Sequence, residues 1–135
     1  MKVYLDTNVL VSAFGTRGIC ADILTVVLAE HELVVGEAVL SELSRVLHTK
    51  MKMSRIMVEE AVAFLRQEGR VTSAETALDP SAVRDPDDRI VLAEAMAGEV
   101  DVLVTGDRDL LDVASKLEVA VVSPRGFWEK LHGRQ

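Results

Sequence analysis

Acidic residues recur in this sequence at places where an acid is out of keeping with its neighbours. Asp6 ends the apolar run that opens the chain, with Asn8 two residues on; Asp87 and Asp88 follow Asp85-Pro86; Asp107 and Asp109 follow Thr105-Gly106. Glu42 stands in the middle of a stretch with helical spacing. An acid directly ending an apolar strand is disfavoured in a core, so Asp6 points to function ahead of structure. Carboxylates drawn within a few ångströms of one another repel by about 1 kcal/mol per close pair in water, and several-fold more in a semi-buried cleft. Such a cluster needs a cation or shared protons. Oxygen ligands without His or Cys suit Mg²⁺ or Mn²⁺ rather than zinc. An ion of that kind orients a water, lowers its pKa and shields the charge that builds on a phosphate under attack.

Each of these acids also has a plainer reading. Asp85, Asp87 and Asp88 suit the start of a helix, as do Asp107 and Asp109, and helix capping alone accounts for one acid at each place. Glu42, taken by itself, reads as a solvated helix residue. Between Arg45 and Arg55 the chain carries Arg45, Lys50, Lys52 and Arg55 and no acid. Two readings of this patch stand side by side: a surface for RNA phosphates or a basic-complementary partner, and a solvated face. His31, His48 and His132 have no ligand spacing, and Met51, Met53 and Met57 read as ordinary packing.

The elements that must position these residues alternate between strand and helix. A buried first strand ends near Asp6, and the following apolar run, Val9 to Phe14, turns at Gly15 to Gly18. Ile23, Leu24, Val27 and Leu28 repeat as on a helix laid against a core. A second strand spans Glu32 to Val35. Two helices follow, Glu37 to His48 and a second one opened by Ser54 and stopped at Gly69. Arg70 to Ser73 reads as a short third strand and Glu75 to Pro86 as loop with two Asp-Pro pairs. Asp85 caps the next helix, Pro86 fits its first position, and it ends near Gly98. A fourth strand (Val102 to Val104), a short helix (Asp107 to Lys116), a fifth strand (Val119 to Val122) and a last helix capped by Ser123 complete the chain. The alternation predicts a three-layer α/β/α sandwich around a mostly parallel five-stranded sheet. In such a sheet the functional crevice lies beyond the carboxyl ends of the strands, where the first and fourth deliver Asp6 and Asp107 to one edge. Asp88 and Glu42 are not placed by local pattern.

The chain has 135 residues, 49% hydrophobic and 27% charged, which suits a single globular domain over 1–135 with a substantial core. Aromatics are only 4%, so the core is aliphatic. The lone Cys20 forms no internal disulfide and suits the reducing cytoplasm. The acid at position 6 and the short apolar runs read as neither signal peptide nor membrane segment. A formal net charge of −7 argues against broad adhesion to nucleic acid. Four acids neutralised by metal, and a local basic patch, reduce that objection.

Four blocks, VYLDTNVLVSAF at the start, LSELSRVL at 40–47, DPDDRIVLAEA at 85–95 and VLVTGDRDLL at 102–111, resemble the signature blocks of the PIN-domain family, in the right order over nearly the whole chain. The resemblance implies that Asp6, Glu42, Asp88 and Asp107 are the catalytic, metal-holding acids, with Asn8 and Thr105 in support. Asp87 stands as an alternative to Asp88, and Asp109 as a partner of or substitute for Asp107. It further implies hydrolysis of RNA phosphodiester bonds by a metal-activated water, with Mg²⁺ or Mn²⁺ as cofactor. The short length and the TGDRDLL form are similar to toxins of the VapC kind, which implies a cognate antitoxin, a homodimer and a cytoplasmic location. Three other classes are weighed against it. A haloacid-dehalogenase-type phosphohydrolase needs a second acid where Asn8 stands. A receiver domain needs a Lys after the fifth strand, where Ser123-Pro124-Arg125 has none. A PIN fold without catalysis, serving as an RNA-binding or scaffolding module, has no reason to keep all four acids.

Overall fold

The computed structural model describes residues 1–74 and 83–133. Five strands, β1 (Lys2–Leu5), β2 (Glu32–Gly36), β3 (Arg70–Thr72), β4 (Val102–Val104) and β5 (Ala120–Val122), form one sheet in the order β3-β2-β1-β4-β5. All four pairings are parallel, so the sheet has no antiparallel member among the described residues. This order differs from that of a flavodoxin-like receiver, which begins 2-1-3, and sets that alternative aside.

The two central strands are buried on both faces. Val3, Tyr4 and Leu5 are fully buried, as are Val102, Leu103 and Val104, so the two central strands read as unbroken apolar runs rather than alternating ones. Helices α1 (Thr7–Gly15), α2 (Ile19–Glu30), α3 (Glu37–Thr49) and α4 (Arg55–Glu68) link β1 to β3. Helix α5 (Pro86–Ala97) returns the chain to β4, α6 (Arg108–Asp112) leads to β5, and α7 (Pro124–Leu131) closes. With the right-handed crossovers that parallel sheets follow, this strand order places α1 to α4 on one face and α5 and α6 on the other, the three layers expected. Helix α7 packs back on α2. No single helix among the described residues is long and apolar enough to cross a membrane.

Local chemistry explains most of the boundaries. Ser54 caps α4 by accepting from the Met57 amide, Ser123 caps α7 by accepting from the Gly126 amide, and Pro86 and Pro124 sit in the first turns of α5 and α7. Helix α3 turns Val39, Leu40, Leu43 and Leu47 inward and leaves Glu42 on the outer side.

Three expectations change. The run Val9 to Phe14 belongs to a helix, α1, that starts directly after β1 because Asp6 ends the strand and caps the helix at once. The helix expected over Asp107 to Lys116 is broken in two: α6 stops at Asp112, and a separate 3₁₀ turn covers Ala114–Lys116. Of the loop expected over Glu75 to Pro86, residues 75–82 lie outside the described residues, and Pro86 is already the first residue of α5.

Candidate active site

Strands β1 and β4 are neighbours with Leu5 opposite Val104, so the residues that follow them meet at one sheet edge. Asp6 comes off β1 as the N-cap of α1. Its Oδ1 accepts from the Thr7 amide at 2.8 Å, and its Oδ2 accepts from the Thr105 hydroxyl at 2.7 Å and from Asn8 Nδ2 at 3.2 Å. The Thr105 hydroxyl in turn accepts from the Asp107 amide at 3.0 Å. Asn8 spans the same gap from the other side, its Oδ1 accepting from the Gly106 amide at 2.7 Å. Thus two polar side chains, one from each strand end, lock the β1 and β4 termini together and hold Asp6 and Asp107 next to one another.

Asp88 reaches this edge from the first turn of α5. Asp85, the N-cap, accepts from the Asp87 amide at 2.8 Å, which fixes the turn and sends Asp87 outward to solvent and Asp88 inward. Asp88 is 8% exposed, and its Oδ2 is buried without any hydrogen-bond partner among the described residues. A bare buried carboxylate oxygen is costly, on the order of 1–3 kcal/mol or more, and native structures rarely keep one without a reason. Burial, and after it the neighbouring Asp107 carboxyl, push the Asp88 carboxyl up to about 7; Asp85 and Asp6 add to the effect. Asp6 is also raised by burial, but the bonds from Thr105, Thr7 and Asn8 pull against that.

Asp6, Glu42, Asp88 and Asp107 all line one cleft of about 490 Å³. Glu42 enters from α3, exposed, opposite the others, and Asp87 and Asn8 stand on the rim. One carboxylate oxygen from each of Asp88, Asp107 and Asp109 falls within 4.8 Å of the other two, so these three can close on a single cation. Asp109, on the first turn of α6, therefore has a share in the tightest group, while Asp6 and Glu42 stand around it. The donor set is all oxygen, and the unpartnered Oδ2 of Asp88 is a vacancy in hydrogen bonding that a hard divalent ion fits.

The basic residues are divided. Lys50 lies on the wall of the acidic cleft. Arg45 lines a groove that continues the cleft past Thr7, Glu42 and Asp87, and it joins Arg55, His48 and Thr49 in a further groove between α3 and α4. Lys52 is exposed in the turn between those helices with a left-handed φ of 56°, and it lines none of these walls. Lys50, Arg45 and Arg55 form no ion pair among the described residues.

A further acid near the site was not singled out from the sequence. Glu94 on α5 is 2% exposed; its Oε1 accepts from the Tyr4 hydroxyl at 2.7 Å, and its Oε2 from the Ala38 amide at 2.8 Å. The signal was present: Glu94 is the one polar residue in the run Ile90 to Ala97.

A family model for the PIN domain matches residues 2–109. The chain belongs to the PIN-domain family. No curated protein matches it closely enough to count as a relative. Among solved structures, the PIN domain here is similar to a chain of VapBC2 from Rickettsia felis, bound to a DNA fragment from its promoter, with a TM-score of 0.66 and 13% identity over 91% of this chain and 98% of that one. It is similar to a chain of VapBC-1 from nontypeable Haemophilus influenzae, with a TM-score of 0.64 and 17% identity over 93% and 99%. For FitAcB from Neisseria gonorrhoeae the TM-score is 0.53, at 16% identity over 91% and 98%. At such identities the likeness is one of fold.

Proposed function

We propose that this PIN domain is a divalent-metal-dependent endoribonuclease, acting as the toxin of a toxin–antitoxin pair. The observation that carries the reading is the naked, buried Oδ2 of Asp88 in a cleft lined by five acids. A carboxylate kept for structure alone would have its oxygens matched by donors; this one faces Asp107 and Asp109, and burial, followed by Asp107, Asp85 and Asp6, raises its pKa. A bound Mg²⁺ or Mn²⁺ supplies the positive charge that lowers the pKa of a water and stabilises the phosphate under attack. Asp88, Asp107 and Asp109 hold the ion, with Asp6 and Glu42 completing the acidic ring, and Thr105 and Asn8 keep Asp6 and Asp107 in register. Lys50, Arg45 and Arg55 meet phosphates of the RNA strand along the grooves beside α3.

Fold neighbours solved as VapBC2 and VapBC-1 support a cognate antitoxin as partner; a homodimer as the working state rests on the resemblance to VapC-kind toxins. A small DNA-binding protein encoded next to this chain is the expected antitoxin. The single cysteine, Cys20, is buried and free of any disulfide, which suits the cytoplasm.

Incubating the purified protein with end-labelled single-stranded RNA tests the enzyme reading. Cleavage is expected with Mg²⁺ or Mn²⁺, is stopped by chelation, and is absent in Asp6→Asn. Metal-independent cleavage, or cleavage undiminished in that variant, rejects the reading.

A further inference from the structure

Glu94 lies outside the acidic cleft, yet it touches the three elements that carry three of the cleft's acids. Its own helix, α5, bears Asp88. The Tyr4 hydroxyl that it accepts from is on β1, two residues before Asp6. The Ala38 amide is at the N-terminus of α3, four residues before Glu42. Helix α3 has no capping side chain of its own: Gly36 precedes it and makes no side-chain cap. The first turn of a helix exposes amides that need acceptors, and a buried first turn without one is costly. Glu94 fills that place from a helix 56 residues away in sequence.

The sequence around the contact is arranged for it. A Cβ at Gly36 would overlap both Glu94 Oε1 and the Tyr4 hydroxyl, so only glycine leaves room for the carboxylate to reach the α3 amide. Thr72, at the end of β3, donates its hydroxyl to the Glu94 carbonyl at 2.9 Å, tying α5 to the sheet at the same point. Hydrogen-bonded outer residues of this kind fix the ligands that they do not touch.

We propose that Glu94 is a positioning residue, a buried clamp that caps α3 from α5 and pins both to β1, and so sets Glu42 and Asp6 against Asp88. The clamp has its effect through the acids, so it rests on the metal-site reading above. Removing it frees the α3 terminus to shift or fray while the cleft side chains stay chemically unchanged.

Three variants test this, with Mn²⁺ binding followed by calorimetry and hydrogen exchange followed at the Ala38 and Val39 amides of the metal-free protein. Glu94→Met keeps the volume and helix preference but removes both acceptors. It is expected to weaken Mn²⁺ binding about tenfold or more and to speed exchange at Ala38. Glu94→Gln keeps one acceptor for the Ala38 amide and a donor for Tyr4, and is expected to restore both values toward wild type. A folded Glu94→Met protein with wild-type Mn²⁺ affinity and wild-type protection at Ala38 overturns the proposal. Equal loss in Glu94→Gln and Glu94→Met also overturns it, since the bonds would then not be the cause. If Glu94→Met does not fold, Tyr4→Phe decides. It removes one anchor of the carboxylate, and unchanged affinity and exchange in it overturn the clamp. Wild-type protein that binds no Mn²⁺ at all sinks the metal-site reading itself, and the clamp's purpose with it. Wild-type binding lost in Asp88→Asn, but unaltered in Glu94→Met, sinks the clamp alone.

Discussion

Two buried acids on one helix have opposite surroundings. Glu94 and Asp88 both project from α5, 2% and 8% exposed. Around Glu94 a phenol and a backbone amide point at the carboxylate, one for each oxygen. Around Asp88 stand other carboxylates, and one of its oxygens has no partner among the described residues. Both carboxyls are raised by burial, but bonds from Ala38 and Tyr4 pull Glu94 back, while Asp107, Asp85 and Asp6 push Asp88 further. The contrast separates an acid that holds the fold together from one whose position costs the fold something. A buried acid with all its bonds made belongs to the architecture; one surrounded by like charge awaits a cation.

The contrast is broken most sharply by neutralising each acid in turn. Asp88→Asn is expected to lower RNA cleavage roughly 10³-fold or more, because groups acting as a unit fail together. The same variant should leave the unfolding free energy of the metal-free protein unchanged or higher, measured by urea titration. Loss of stability without loss of cleavage would reverse the two roles.

Glu94→Met is expected to do the opposite in that titration. Leaving the Tyr4 hydroxyl and the Ala38 amide buried and unmatched should cost about 2–3 kcal/mol of stability. Gly36→Ala, which crowds the same carboxylate, should cost about 1–3 kcal/mol by overpacking. If either variant is as stable as the wild type, the hydrogen bonds at Glu94 are not holding the fold.

Acidity sharpens the comparison further. The Asp88 carboxyl sits at about 7 in the folded chain against an ordinary value of 3.8. Between those values the folded protein keeps a proton that the unfolded chain has released, so the folded state is favoured at low pH and loses this advantage as pH rises through about 7. The metal-free protein should therefore show a melting temperature that falls by a few degrees relative to Asp88→Asn between pH 5 and 8, roughly as such linkage predicts. Saturating Mn²⁺ should remove the fall. A constant difference between the two proteins over that range would contradict the like-charge surroundings of Asp88.

The smallest effect is expected from the basic residues outside the cleft. Replacing Arg45 by Gln should weaken RNA binding evenly across sequences and reduce the slope of log affinity against log salt by about 1. An unchanged slope would leave the groove beside α3 without phosphate contacts.

Much of this was legible in the amino-acid order, and the parts that were not have a common cause. The strands at Val3 to Leu5 and Val102 to Val104 were readable because burial on both faces leaves only apolar residues. The meeting of Asp6 and Asp107 followed from parallel strands ending on one edge. Helix α1 escaped because Val9 to Phe14 is apolar on nearly every side, and because Asp6 ends one element and starts the next without a linker. Glu42 and Asp88 were placed by resemblance alone, since no local pattern says which way a helix will face across a crossover. Glu94 is the only polar residue in an apolar run but was not singled out, because its partners lie 90 and 56 positions away in the chain, and distance of that kind leaves no periodic trace. Lys52 was grouped with its basic neighbours by proximity in sequence, and the turn between α3 and α4 carries it away from them.

The bond from the Thr105 hydroxyl to Asp6 joins residues 99 apart. During synthesis Asp6, Glu42 and Asp88 are therefore all made before β4, the strand whose end gathers them. A polypeptide halted before residue 102 has three of its acids and no place to use them. The acidic cleft is thereby completed only once β4 has joined the sheet.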